Sequence, residues 1–247
     1  MKADAFAQLK LLDVQELDSR CDQLRHRLAH LEETQQLAAI ATERREMDDR
    51  ARDVRIHLED LTREQRKADA DVEQVKTRLT RDQQRMDAGL VSNPKDLERM
   101  QSELVSLGRR ISALEDAELE VMEELEQTQN EYDALQGRLA ELDATAAELS
   151  ASRTEKAQGI ETELAAAIAQ RKTAADGLPE DLLSLYERIR TQKGGVAAAR
   201  LRARRCEGCS LELTASDLGS IAKAATDEVL RCEECNRILV RTSESGI

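Results

Sequence analysis

A chain of 247 residues with one Phe, two Tyr and no Trp cannot fill a broad globular core, because large aromatics normally supply much of its volume. With 35% of residues charged, two solutions remain: long helices that each bury one narrow stripe, or disorder, and the periodicity described below excludes disorder. The net charge of −13 falls wholly within residues 1–177, which carry 39 acidic against 26 basic side chains and should repel nucleic acid and anionic membrane; 11 of each sign follow from Leu178 onward.

The N-terminal stretch MKADAFAQLKLLDVQELDSR has no apolar leader, and nowhere do 18 apolar residues run together, so the expectation is a cytoplasmic chain. Apolar residues then recur with alternating spacings of three and four. A first seam passes through Leu17, Cys21, Leu24, Leu28, Leu31 and Ala38. A second passes through Met47, Ala51, Val54, Leu58, Leu61, Gln65, Ala68, Val72, Val75, Leu79 and Met86, with Asp82 as its flaw. The two are out of register, and the polar TERREMDD lies at the join, to be read as a stutter in one continuous helix or as a hinge.

Helix stop and start signals follow in DAGLVSNPKDLE. Gly89 suits a position just past a helix, Asn93 an N-cap, Pro94 the first helical position, and Asp96 the positive end of the helix dipole. A third seam begins at Leu97 and Met100 and runs unbroken to Ala146 and Leu149, with Glu118 and Thr128 as its two polar members. So short a turn makes the arms antiparallel neighbours. The expected fold is mainly α: a coiled-coil hairpin over 1–177 with its turn near 89–95, about 120 Å long, in which Leu31 lies near Leu149.

The remaining residues, 178–247, are read as a bridging helix and a zinc ribbon. Gly177 and Pro179 bound the start of the helix, whose Leu178, Leu182, Tyr186 and Ile189 share one face and should pack on the hairpin base. Next comes RIRTQKGGVAAARLRARR, with seven basic residues and no acidic one. Two C-x-x-C pairs, Cys206 with Cys209 and Cys232 with Cys235, then offer four thiolates. Two such knuckles complete a tetrahedron around one Zn²⁺, and four sulfurs leave no open position, so the metal is structural; the rival reading is a redox pair or two disulfides, but no βαβ context for a thioredoxin-type motif is present. Gly208 and Asn236 are the residues expected to relax the knuckles. Thr214 and Asp217 form a capping box, and LEL, EVLR and RILV read as short strands. Cys21 is a small hydrophobe of the seam.

VSNPKDLERMQSEL at the tip, LPEDLLSLYERIR in the bridge and CEGC with CEECNRIL in the ribbon resemble the bacterial family of coiled-coil hairpins with a C4-type zinc ribbon, often called DUF164. The resemblance covers nearly the whole chain. It implies zinc at Cys206, Cys209, Cys232 and Cys235, and an adaptor role. Some relatives in that family are tied to flagellar or type III secretion assembly and to RNA or transcription-factor binding.

No catalytic fingerprint is present: G-x-S-x-G, P-loop and dinucleotide motifs are all absent. His26, His30 and His57 fall outside the seam; His26 and His30, four apart, have chelating spacing, but the plain reading is solvated helix. Two partner classes stay open for a non-enzymatic, monomeric adaptor. Nucleic acid or transcription machinery would meet the ribbon end through Arg188, Arg190, Lys193, Arg200, Arg202, Arg204, Arg205, Arg231 and Arg237, with Arg200, Arg202 and Arg204 on one strand face. Alternatively these cations balance the thiolates and the acidic coil. A protein partner would meet the tip, Leu90, Val91, Ser92, Asn93 and Pro94; the competing reading has Leu90 and Val91 capping the last core layer.

Overall fold

The computed structural model describes residues 1–247. Its helices are α1 (Ala5–Ala29), α2 (Glu32–Asp87), α3 (Pro94–Ala175), α4 (Glu180–Gln192) and α5 (Ala215–Lys223). Its strands are β1 (Ala198–Arg202), β2 (Arg205–Cys206), β3 (Leu230–Arg231) and β4 (Ile238–Val240). The chain divides into two compact units, one of residues 36–149 and one of residues 1–35 with 150–247.

Residues 36–149 form a helical hairpin. Ala51, Leu135 and Leu139 are buried and packed with Met47, Val54 and Tyr132, as the seams require. Ion pairs flank the stripe: Arg44 to Asp143 at 2.6 Å, Arg50 to Glu131 at 2.5 Å, Lys76 to Glu115 at 2.6 Å. These pairs are half exposed, so each adds little beyond setting register. At the tip Gly89 has φ +66°, its N–H donates to the Met86 carbonyl at 3.0 Å, and the Leu90 N–H donates to the Arg85 carbonyl at 3.2 Å. This pair of bonds is the Schellman stop. Asn93 Oδ1 then accepts the Lys95 N–H at 3.0 Å and starts α3.

The helix is continuous through TERREMDD, so the stutter reading holds and the register change lies elsewhere. It lies at His30–Leu31, where α1 ends and α2 begins. Beyond the break Glu33, Leu37, Ile40 and Met47 are among the buried and half-buried positions, in phase with the second seam, while Ala38 of the expected first seam is exposed. Opposite, on α3, Ser150, Ser152, Ala157 and Ile160 turn inward with irregular spacing. Glu33 accepts from Ser152 Oγ at 3.3 Å and pairs with Lys156. Leu31 consequently packs with Ile160 and Leu164, farther along α3 than the neighbourhood of Leu149.

The other unit joins the base of the coil to the ribbon. Leu11, Leu12 and Val14 of α1 meet Leu182, Tyr186 and Ile189 of α4 and Ala198, Ile238 and Val240 of the sheet, with Leu178 alongside, which is the expected packing of the bridging helix. The sheet order is β2-β1-β4-β3; β1 and β4 are parallel, the other pairs antiparallel. Two buried glutamines tie α1 to this region. Gln15 Oε1 accepts the Ala197 N–H at 2.6 Å and the Ala198 N–H at 3.2 Å, and its Nε2 donates to the Gly195 carbonyl at 3.0 Å. Gln8 Nε2 donates to the Ala3 carbonyl at 2.9 Å and to the Thr226 carbonyl at 3.3 Å. Of the expected strands, EVLR and RILV contain β3 and β4, but LEL supplies only an isolated bridge, Glu212 with Arg205.

Candidate metal centre

Each C-x-x-C closes the same way. The Ser210 N–H donates to the Cys206 carbonyl at 2.7 Å and the Cys206 N–H to the Leu211 carbonyl at 3.0 Å; the Asn236 N–H donates to the Cys232 carbonyl at 2.8 Å and the Cys232 N–H to the Arg237 carbonyl at 2.9 Å. Ser210 and Asn236 occupy equivalent left-handed positions at φ +60° and +61°. Asn236 was the residue expected there; Ser210 is its counterpart and carries no strong compositional signal. Gly208 has an ordinary φ and serves a different end: a Cβ there would sit 2.8 Å from Arg237 Cδ and 3.0 Å from Ala199 Cβ. It lets the first knuckle lie against the sheet.

The four sulfurs converge. Cys206, Cys209, Cys232 and Cys235 place their Sγ atoms all within 4.8 Å of one another, with Cys206 to Cys235 and Cys209 to Cys232 both at 3.9 Å. Tetrahedral Zn–S bonds of about 2.3 Å require S···S edges of about 3.8 Å, whereas a disulfide needs about 2.05 Å. The donor set and its spacing therefore fit one structural zinc and not a disulfide pair. Cys206 and Cys232 are buried, beside Leu201, Leu213, Leu218, Ile221 and Leu239. Burial pushes the Cys206 thiol up to about 12. Burial also acts against the Cys235 thiolate, but the backbone N–H and guanidinium of Arg237 prevail and draw it down to about 7. Four thiolates cannot gather here as bare anions; a divalent cation is what lets all four ionise together.

α5 opens on the expected capping box: Asp217 N–H donates to Thr214 Oγ1 at 3.2 Å and Thr214 N–H to Asp217 Oδ2 at 3.3 Å. It closes on Arg241, which donates to the Ala224 carbonyl at 2.8 Å and the Ala225 carbonyl at 2.5 Å.

The basic residues do not form the expected strand face. β1 stops at Arg202, and Ala203 and Arg204 make a two-residue hairpin turn with φ +45° and +66°. Both turn N–H groups are held by the C-terminal segment, at Glu244 O 2.8 Å and Ser245 O 3.0 Å. Arg204 therefore leaves the face shared by Arg200 and Arg202. Five of the nine candidates already have partners: Arg190 with Asp22, Arg202 with Glu244 and Glu207, Arg205 with Glu212, Arg231 with the Asn236 carbonyl, and Arg237 with the Val196 carbonyl. Arg188, Lys193, Arg200 and Arg204 are exposed, and their side chains make no hydrogen bond or ion pair. At the tip Leu90 is 72% exposed, Val91 is half-buried, and Ser92, Asn93 and Pro94 face solvent.

A helical hairpin joined to a four-cysteine ribbon defines a recognisable class of protein. The chain belongs to the CT398-like coiled coil hairpin domain family, which matches residues 14–194, and a C4-type zinc ribbon domain matches residues 205–239. It is 34% identical over 241 residues to an uncharacterized protein of Mycobacterium tuberculosis, covering 98% of each chain. A solved structure from Mycobacterium smegmatis is similar at TM-score 0.83 and 30% identity, over 98% of this chain and 100% of that one. CT398 from Chlamydia trachomatis shares the fold at TM-score 0.68 and 19% identity, over 96% and 98%.

Proposed function

We propose that this chain is a non-catalytic adaptor that recognises a protein partner through the tip of its hairpin, with the zinc ribbon as a structural module. The observation that carries this reading is Leu90, a large apolar side chain 72% exposed in a turn fixed on both sides, by the Schellman bonds before it and the Asn93 cap after it. An apolar anchor on a preorganised turn loses little entropy on binding. A photocrosslinker at Ser92 in the native host should give one dominant adduct, and Leu90→Asp should abolish it without changing helicity. A crosslinking pattern indifferent to Leu90→Asp would overturn the assignment.

The four unpaired cations Arg188, Lys193, Arg200 and Arg204 support a second reading, contact of the ribbon end with nucleic acid. No aromatic residue lies beyond Tyr186, so this contact would be electrostatic rather than stacked. Fluorescence anisotropy with single-stranded RNA and duplex DNA tests it. Binding that weakens with salt, and whose salt slope falls by about one per removed cation when Arg200 and Arg204 become Gln, supports this reading. No binding at low salt removes it.

A further inference from the structure

At the α1–α2 break a cavity of about 570 Å³ opens between the end of α1 and α3. His26 and His30 line it, stacked with centroids 4.1 Å apart and planes 18° from parallel. His30 Nδ1 lies 2.8 Å from the His26 carbonyl. A carbonyl only accepts, so Nδ1 carries the proton and Nε2 keeps its lone pair free. A second nitrogen tied to a carbonyl is the usual support of a metal-ligating histidine.

Two further features of this cavity point to a ligand. Glu33 lines it and is 5% exposed; its Oε1 serves Lys156 and Ser152, while its buried Oε2 has no hydrogen-bond partner. Gly159 also lines it, deep inside the 82-residue α3, and a Cβ there would meet nothing within 4 Å. Glycine inside a helix costs about 1 kcal/mol against alanine, and no neighbour demands it. It leaves that wall of the cavity without a side chain. Glu163 completes the wall from α3, and with Glu32 and Glu33 the carboxylates outnumber the cations, Arg27 and Lys156.

We infer that His26, His30 and Glu163, lining the cavity that Glu33 also lines, can close on a divalent transition cation as a second metal site, distinct from the four cysteines. Imidazole with carboxylate suits Zn²⁺, Ni²⁺ or Co²⁺. The donors line one cavity without yet converging, because only the cysteines gather within 4.8 Å as a set. Binding would draw the α1 terminus onto α3 and hold the break in one geometry.

The test uses the full chain with zinc in its ribbon. Calorimetric titration with Ni²⁺ should show one additional equivalent per chain while elemental analysis finds the ribbon zinc still bound. His26→Ala and His30→Ala should each weaken that binding by about tenfold or more, and Glu163→Gln by a smaller factor. All three side chains are exposed, so helicity should not change. Co²⁺ added in place of Ni²⁺ should show ligand-field bands without sulfur-to-cobalt charge transfer. Absence of an additional equivalent, affinity unchanged in the His26→Ala/His30→Ala double variant, or a thiolate signature for the added cobalt would each overturn the site.

Discussion

Asp18 gathers more partners than any other carboxylate in the chain. It is 6% exposed and accepts from Tyr186 Oη at 2.8 Å and Arg171 Nε at 3.2 Å, with Arg190 Nε 3.6 Å away. Burial first, then this carboxylate, pushes the Tyr186 phenol far above its ordinary range. Tyr186→Phe should cost about 2 kcal/mol in denaturant unfolding, a buried bond to a charged acceptor. Asp18→Ala should cost about 3 kcal/mol, the low end for breaking a buried pair, because Arg171 keeps Glu187 and Arg190 keeps Asp22. Glu118 is the opposite case. Its hydrogen bond with Asp69, and then burial, raise its pKa. A carboxyl with a raised folded value favours the folded state below the unfolded value, near 4.5, and loses that contribution as pH rises through the folded value. Glu118→Gln should therefore be more stable than the parent at pH 7, with the difference vanishing below about pH 4. An equal difference at both pH values would contradict the raised value.

At the scale of elements, what was legible in the sequence was whatever depends on neighbours three or four residues away. The second seam, the Gly89 stop, the Asn93 cap and the Thr214–Asp217 box are local patterns, and each forms as read; the first seam holds only as far as Leu31. The α1–α2 break was not legible, since neither Gly nor Pro marks it. There Glu33 meets Ser152 and Lys156, more than a hundred residues away, and turns inward two residues after the half-buried Leu31, which shifts the stripe that follows from Ala38 to Leu37. Gln8 and Gln15 are illegible for the same reason: a glutamine in a helix reads as surface until its distant carbonyl and amide partners are known. The strand face expected of Arg200, Arg202 and Arg204 is broken by turn chemistry, because Ala203 and Arg204 adopt positive φ with help from Glu244 and Ser245, which no two-residue pattern announces. The tip offers a direct check of local reading. Gly89→Ala should cost about 1 kcal/mol through its φ of +66° alone, since the added methyl would meet nothing within 4 Å. Leu90→Ala should leave stability within about 0.5 kcal/mol, because the side chain is exposed.

For the whole molecule, helices and ribbon draw on separate sources of stability. No helix is long and apolar enough to cross a membrane, and the coil is held by its own stripe. The ribbon core is small: Ala199, Leu201, Leu213, Leu218, Ile221 and Leu239 around two buried cysteines. A core of that size needs a metal to fold. Cys232→Ser, or chelation of the zinc, should melt the ribbon while most far-ultraviolet helical signal persists, because α5 contributes only nine residues of helix. Proteolysis should then cut beyond residue 200 and spare residues 36–149. X-ray absorption at the zinc edge, on protein washed free of loosely held metal, tests the four-cysteine centre most directly. One zinc per chain with four sulfur neighbours at about 2.3 Å is the predicted result; a metal-free chain with Cys206, Cys209, Cys232 and Cys235 joined in disulfides would contradict it.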